Sequence, residues 1–195
     1  MVRLHAGRAR RRAAEPATTG GGPIGAVAIA PMRRRHLKAV LAIEQQVFPS
    51  PWSIGLYLSE LAQPATRAYH VAIASGDVLG YGGMMLVAGE AHVTTLAVAP
   101  GAQHRGIGRH LMLVLAKEAR ERACQHLTLE VRVKNTSAQG LYQEFGLVPA
   151  GIRKNYYSEV NEDALVMWVH GIDTEQYAQR LAAIEARTTG VADQR

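Results

Sequence analysis

Apolar residues recur along this chain at two spacings, one typical of helices and one typical of strands. Leu37, Val40, Leu41 and the charged Glu44 stand at positions i, i+3, i+4 and i+7, which share one face of a helix. The helical spacing predicts helices over Arg34–Val47, Ser53–Leu61, Gly106–Arg122, Ala138–Phe145 and Thr174–Arg187. Shorter apolar or alternating segments predict strands over Ile24–Ala30, Ala68–Ala74, Leu79–Val87, His92–Val98, Leu127–Val133, Val148–Ile152 and Ala164–Val169.

The order of these elements, β-α-α-β-β-β-α-β-α-β-β with a final helix, predicts a single mixed α/β domain. Periodicity by itself leaves the choice between the α+β and α/β classes open. We expect the domain to span residues 23–170 and a C-terminal helix to occupy 171–187. Residues 1–22 are expected to form a disordered basic extension, and 188–195 a flexible tail.

Composition places the chain among ordinary globular proteins, with 48% hydrophobic and 19% charged residues. No run of about 18 apolar residues exists, so no membrane span or membrane partner is expected. A single cysteine cannot form an internal disulfide, which favours a cytoplasmic location.

The formal net charge of +6 is concentrated at the N-terminus, where residues 1–22 hold five arginines and one glutamate. Two interpretations of this extension stay open. It is an arm that contacts RNA or the ribosome, or, as we favour, an unstructured segment without nucleic-acid contact.

A short glycine-rich segment, Gln103–Arg109, follows a predicted strand and opens the longest predicted helix. Gly106 and Gly108 let the backbone approach a ligand, and the first N–H groups of a helix favour an anion such as a diphosphate. Two other phosphate-binding motifs do not fit this segment. A Walker loop requires lysine where the chain has Ile107, and a dinucleotide fingerprint requires a small residue where the chain has Leu111. A plain helix-capping turn with surface arginines remains the structural alternative.

Three polar residues downstream of this loop could carry chemistry: Glu130, Asn135 and Tyr142. Glu130 lies off the apolar face of its strand, where a carboxylate could accept a proton, although an exposed strand glutamate is the simpler interpretation. Tyr142 could donate a proton or pack in the core, and Asn135 could simply cap a helix.

Aromatic residues at two other positions, Trp52 and the pair Tyr156 and Tyr157, could form walls of an acceptor site or could pack within loops. The histidines show no ligand spacing with other donors, so no metal is expected.

Taken together, the segments Gln103–Gly108 and Glu130–Gly146 closely resemble the GNAT superfamily of N-acetyltransferases, and within it the RimI-like N-terminal acetyltransferases. The resemblance implies a mostly antiparallel sheet that splays between two parallel central strands and is flanked by helices. It implies acetyl-CoA as co-substrate and no metal. The residues that it assigns to the coenzyme are Leu96, Ala97, Val98, His104, Arg105, Gly106, Ile107, Gly108, Arg109 and Asn135.

The same resemblance implies that Glu130 is the catalytic base and Tyr142 the catalytic acid, with Trp52, Tyr156 and Tyr157 on the acceptor side. The implied acceptor is the N-terminal α-amine of a protein, in particular a small-subunit ribosomal protein that begins with alanine. Two alternatives remain. The same chemistry could act on a polyamine, an aminoglycoside, a lysine side chain or an aminoacyl-tRNA, or the chain could be a non-catalytic coenzyme-A-binding module.

Overall fold

The computed structural model describes residues 26–189, which form one seven-stranded sheet with helices on both faces. The strands are β1 (Ala28–Pro31), β2 (Arg67–Ala74), β3 (Asp77–Val87), β4 (Glu90–Val98), β5 (His126–Arg132), β6 (Val148–Tyr157) and β7 (Glu162–His170). The helices are α1 (Leu37–Val47), α2 (Ile54–Leu61), α3 (Ile107–Glu121), α4 (Thr136–Glu144) and α5 (Glu175–Thr189). Within this part of the chain, no helix is long and apolar enough to cross a membrane.

The strand order is β1-β2-β3-β4-β5-β7-β6, and every neighbouring pair is antiparallel except β4 and β5. The parallel pairing begins at Glu90 opposite His126 and ends at Val93 opposite Leu129. Both strands continue beyond this point, so β4 and β5 separate and leave a gap between their C-terminal halves. The predicted fold class, a mostly antiparallel sheet splayed between two parallel central strands, is therefore confirmed.

Successive residues of β2 pack on opposite faces of the sheet, because strand side chains alternate in direction. Tyr69 and Val71 join a buried cluster formed with α1 and α2. Ala68 and Ala72 instead join clusters that contain side chains of α3. The helices thus form a layer on each side, and α5 packs beside α3.

A β-bulge at Thr94 interrupts the alternation along β4. Gly83 of β3 pairs with Thr95, whereas the next residue, Met84, pairs with Val93, so Thr94 is the extra residue. Before the bulge, Val93 packs in the cluster that contains α3, and after it Ala97 packs in the cluster with α1 and α2. The bulge therefore reverses which residues of β4 face each helical layer.

The predicted elements are all present in the described residues, with differences at several ends. Strand β1 begins at Ala28 rather than Ile24, and the predicted residues 24 and 25 lie outside the described part. Strand β6 extends to Tyr157 instead of ending at Ile152, because it pairs with β7 again at Glu162. Helix α5 spans Glu175–Thr189 rather than 171–187, so the first two residues of the tail expected at 188–195 are helical. The rest of that tail and the extension at residues 1–22 lie outside the described residues.

Strand β5 is more buried than its alternation of apolar and polar residues suggested. Leu127, Leu129 and Val131 are buried as expected, but Thr128 on the other face is buried as well. Its hydroxyl donates a hydrogen bond of 3.1 Å to the carbonyl oxygen of Met167 on β7. Polar residues on this face are therefore inside the protein, and the interpretation of Glu130 as an exposed strand residue is wrong.

Replacement of Gly83 by alanine should destabilise the protein. A Cβ atom at this position would lie 2.1 Å from a ring carbon of Tyr69, and hydrogen bonds from the Tyr69 hydroxyl to Glu60 and with Thr94 hold the ring in place. We expect Gly83→Ala to lower the free energy of unfolding by about 1–3 kcal/mol, as measured by denaturant titration.

The matched control is Gly140→Ala on the exposed surface of α4, where an added Cβ meets nothing within 4 Å. Because alanine favours helix over glycine by about 1 kcal/mol, this variant should be neutral or more stable. Equal stability of the two variants would contradict the packing that we describe at Gly83.

Candidate active site

Glu130 lies on β5 one residue after the last pairing with β4, and its carboxylate is held by two basic side chains. His92 Nε2 lies 2.7 Å from one carboxylate oxygen, and Arg153 Nη1 lies 3.1 Å from the other. The Glu130 side chain is 6% exposed, whereas those of His92 and Arg153 are 27% and 56% exposed. The site is therefore a buried carboxylate whose partners reach the surface.

Two opposing effects determine the acidity of Glu130. Burial raises the pKa of its carboxyl group. The hydrogen bond and charge of His92 and the charge of Arg153 lower that pKa by more than burial raises it. The net result is a pKa below the ordinary value for glutamate. Glu130 is thus a carboxylate near neutral pH, in spite of its burial.

Two tyrosines at the end of β6 border this carboxylate. The Tyr157 hydroxyl donates a hydrogen bond of 3.4 Å to the Glu130 carbonyl oxygen, and burial is the largest of the causes that raise its pKa to about 12. The Tyr156 ring meets the Tyr157 ring edge-on, with 5.2 Å between centroids. Guanidinium groups of Arg132 and Arg153 lie over the rings of Tyr157 and Tyr156, respectively.

Tyr142 is buried on α4, with 7% of its surface exposed. Burial raises the pKa of its phenol, and the nearby Tyr157 raises it further. A phenol in this environment stays protonated at neutral pH, which is the state that a proton donor requires.

The glycine-rich loop before α3 has an unusual backbone. His104 and Gly106 both have positive φ angles, 60° and 78°, and Gly106 is the N-cap of α3. The Gln103 side-chain amide donates a hydrogen bond of 3.1 Å to the Val98 carbonyl oxygen and ties the loop to the end of β4. Alternating left-handed residues beside a helix start direct successive N–H groups to one side, a geometry that suits an anion.

The two arginines that flank this loop differ in their surroundings. Arg105 is exposed, whereas Arg109 forms a two-point ion pair with Glu144 at the end of α4, at 2.9 and 3.0 Å. Arg109 thus connects α3 to α4, and a phosphate would have to compete with Glu144 for its guanidinium. Its assignment as a diphosphate ligand stays a prediction.

Asn135 caps α4, because its side-chain oxygen accepts a hydrogen bond of 3.1 Å from the N–H of Ala138. This is the simple structural role that the sequence left open. The contact fixes the start of the helix that carries Tyr142.

The gap between β4 and β5 leaves part of the β4 backbone without a strand partner. Leu96, Ala97 and Val98 pair with β3 on one side, but β5 pairs with β4 only as far as Val93. Apart from the Val98 carbonyl oxygen, which accepts from Gln103, backbone groups on the β5 side of this segment have no strand to pair with and can bind an extended ligand.

A second buried carboxylate, Glu44 of α1, organises the loop that carries Trp52. Glu44 accepts hydrogen bonds from the hydroxyls of Tyr57, at 2.5 Å, and Tyr81, and from the N–H of Trp52, at 3.0 Å. The Trp52 ring lies 5.4 Å from that of Tyr57. The structure thus places Trp52 beside Glu44 and Tyr57.

The structure brings Glu130, Tyr156 and Tyr157 together, as the sequence suggested, and adds His92 and Arg153. Neither His92 nor Arg153 could be singled out as a site residue from the sequence. A lone histidine in a strand, for example, is common on protein surfaces. Glu44 did have a signal: it is a carboxylate on the apolar stripe of α1. Within the described residues, no group of three or more potential ligands could hold a metal ion.

The splayed parallel pair, the bulged strand and the loop at the helix start agree with a match to a known family. The family model of the acetyltransferase (GNAT) family matches residues 37–147, which is more than half of the chain. The chain belongs to the GNAT acetyltransferase family. It is accordingly an acyltransferase of the N-acetyltransferase type.

Several similar proteins refine this placement among GNAT acetyltransferases. A Bacillus subtilis protein, provisionally named a ribosomal protein bS18-alanine N-acetyltransferase, is 39% identical over 142 residues, covering 73% of this chain and 94% of its own. The Escherichia coli ribosomal protein bS18-alanine N-acetyltransferase is 32% identical over 142 residues, covering 71% of this chain and 94% of its own. The chain is therefore a RimI-like member of the family.

Solved structures agree with these sequence relationships. The crystal structure of the Escherichia coli ribosomal-protein-S18-alanine N-acetyltransferase matches with a TM-score of 0.68 and 31% identity, covering 74% of this chain and 94% of that one. Ard1 from Thermoplasma volcanium matches with a TM-score of 0.69 and 25% identity, covering 74% and 97%.

Removal of one hydroxyl from the Glu44 cluster should destabilise this GNAT domain. Tyr81→Phe leaves the buried carboxylate with one donor fewer. Because a hydrogen bond to a charged group contributes about 1.5–3 kcal/mol, we expect a loss of that size in the free energy of unfolding.

Tyr177→Phe on α5 is the matched control, since the buried Tyr177 hydroxyl has no hydrogen-bond partner among the described residues. Its removal should change stability by less than about 1 kcal/mol. If both variants unfold at the same denaturant concentration, the Glu44 cluster does not have the stabilising role inferred here.

Proposed function

We propose that this protein transfers an acetyl group from acetyl-CoA to the N-terminal α-amine of a protein, in particular ribosomal protein bS18 beginning with alanine. The main structural support is the buried Glu130 carboxylate at the point where β4 and β5 separate, bordered by Tyr156 and Tyr157. The names of the Bacillus subtilis and Escherichia coli relatives support the acceptor. Such an acceptor would be met in the cytoplasm.

The residues present fit an acetyl-CoA molecule, which supplies the acetyl group as a thioester. The unpaired side of Leu96–Val98 would bind the extended arm through backbone hydrogen bonds. The loop His104–Gly108 would bind the diphosphate through backbone N–H groups, with Arg105 as a charged neighbour. Asn135 would act by fixing the start of α4.

Proton transfer would involve two residues, Glu130 of β5 and Tyr142 of α4. Glu130 would take part in removing a proton from the incoming ammonium, because an ammonium has no lone pair with which to attack. The buried, protonated Tyr142 phenol would donate a proton to the departing thiolate. The N–H of Val98 would stabilise negative charge on the reacting carbonyl oxygen.

The acceptor peptide would enter on the side of Tyr156 and Tyr157. Tyr156 is 46% exposed, so its ring is available for contact with a peptide chain. Trp52 would act less directly, because its backbone N–H is fixed by the buried Glu44 and positions the α1–α2 loop.

A panel of acceptors tests the substrate class. Purified protein, acetyl-CoA and peptides with free N-terminal Ala, Ser, Met or Gly would be compared with N-blocked lysine peptides, spermidine and an aminoglycoside by thiol release. We expect turnover only with free N-termini, and fastest with alanine.

Faster turnover with small amines or with blocked peptides would overturn the proposed acceptor and leave the chemistry intact. Binding of acetyl-CoA without turnover of any amine, including aminoacyl-tRNA, would favour a non-catalytic coenzyme-binding module.

Tyr142→Phe separates the catalytic role of the phenol from its packing role. We expect kcat at saturating acetyl-CoA to fall about 100-fold, as is typical when a general acid is removed, while the Kd for acetyl-CoA changes by less than about twofold. Stopped-flow thiol release and calorimetric binding would measure the two quantities. Parallel losses in both would show that Tyr142 acts by packing alone.

A further inference from the structure

Two histidines lie directly opposite each other on neighbouring strands of the sheet. His126 is the first residue of β5, and its pairing partner is His170, the last residue of β7. Glu130 lies four residues further along β5, about 13 Å away at the usual rise of about 3.3 Å per strand residue. The two imidazoles are therefore separate from the groups proposed to carry out acetyl transfer.

The two imidazole rings direct the same nitrogen towards each other. His126 Nδ1 lies 3.1 Å from His170 Nδ1, and the ring centroids are 4.7 Å apart with an angle of 77° between the ring planes. The strand pairing itself holds the rings together, because directly opposite residues have Cβ atoms about 4.5–5.5 Å apart. His170 is exposed and His126 is half-buried, so solvent reaches the pair.

A third nitrogen, Nε1 of Trp168 on β7, contacts the same atom. It donates a hydrogen bond of 3.0 Å to His170 Nδ1. An indole N–H can only donate, and a neutral imidazole has a single lone pair. His126 Nδ1 can therefore bond to His170 Nδ1 only as a second donor to that same lone pair. Two donors sharing one acceptor leave the contact between the imidazoles poorly satisfied.

The spacing of the two Nδ1 atoms fits a single metal ion between them. Zinc, as an example, binds imidazole nitrogen at about 2.0–2.1 Å. Two such ligands at about 90–110° around one ion are about 2.8–3.4 Å apart, and the observed 3.1 Å lies within this range. An ion that replaces the hydrogen on His126 Nδ1 would use both lone pairs, and the Trp168 N–H would then have to give up its hydrogen bond.

We propose that His126 and His170 form a two-histidine site for a divalent transition-metal ion, with both Nδ1 atoms as ligands and water in the other coordination positions. Imidazole ligands suit Cu²⁺, Ni²⁺ and Zn²⁺, whereas Mg²⁺ and Ca²⁺ prefer oxygen ligands. Among the first three, Cu²⁺ binds most tightly to a given set of ligands. With two protein ligands instead of four, the site holds its ion less firmly than a structural zinc site does.

This site has no signature in the spacing of the histidines along the chain. His126 and His170 are 44 residues apart in sequence and meet only because β5 pairs with β7. The proposal does not depend on the proposed function, since it concerns binding of an ion and uses none of the residues assigned to acetyl transfer.

Calorimetric titration of the full chain with Cu²⁺ tests the site, with Mg²⁺ as the contrasting ion. We expect Cu²⁺ to bind and Mg²⁺ not to bind at the same concentrations. His126→Gln and His170→Gln should each weaken the tightest Cu²⁺ binding step about 100-fold, because the second ligand acts at high effective concentration only when both are present. His110→Gln is the matched control, since His110 lies on α3 outside this pair, and it should leave that step unchanged.

Tryptophan fluorescence gives a second readout with both histidines intact. The chain has two tryptophans, and the Trp168 ring lies 5.5 Å from that of His170 and 6.1 Å from that of His126. In a Trp52→Phe variant, one equivalent of Cu²⁺ should quench most of the emission, because Trp168 is beside the ion. A Trp168→Phe variant should bind Cu²⁺ at least as tightly as the unaltered chain, since the competing N–H is gone, and its Trp52 emission should be little quenched.

Three outcomes would overturn the proposal. The first is a failure of the unaltered chain to bind Cu²⁺. The second is Cu²⁺ binding that persists with equal affinity in both His126→Gln and His170→Gln. The third is Trp168 emission that one equivalent of Cu²⁺ leaves unchanged in the Trp52→Phe variant. Thermal midpoints without metal show that the variants are folded, and added Cu²⁺ should raise the midpoint of the unaltered chain but not that of either histidine variant.

Discussion

The separation of β4 from β5 after Val93 and Leu129 is the constraint on which the candidate site depends. Two parallel strands that stayed paired would use their backbone groups on each other and leave no place for a ligand between them. The bulge at Thr94 accompanies the separation, and Thr94 is held by hydrogen bonds with Tyr69 and to the Gly83 carbonyl oxygen. The gap is therefore built into the sheet and supported by the α1–α2 side of the core.

Two buried carboxylates on that side have different surroundings and therefore different uses. Glu44 is enclosed by two tyrosine hydroxyls and a backbone N–H, so all of its contacts serve the architecture of the α1–α2 loop. Glu130 is held by His92 and Arg153, both of which reach the surface. Because these partners reach the surface, the buried Glu130 carboxylate can exchange protons with solvent through them. Such an arrangement suits a catalytic role better than a purely structural one.

Much of the fold could be predicted because helical and alternating spacings are local properties of the chain. The helix that begins at Ile107 and the strand β5 both follow from such signals. The bulge at Thr94 could not be predicted, since it is defined by the pairing of β4 with β3 and no local pattern marks the extra residue. The extension of β6 to Tyr157 depends on pairing with β7, which no local pattern encodes.

The sequence by itself determined the element order, the glycine-bearing loop and the identity of Glu130, Tyr142 and the paired tyrosines as candidates. These depend on residue type and spacing, and spacing is set by covalent geometry. Only the tertiary structure decided that Arg109 pairs with Glu144, that Trp52 belongs to the Glu44 cluster, and that His92 and Arg153 hold Glu130. Such partners lie far apart along the chain, and they meet only when the sheet brings strands from different regions side by side.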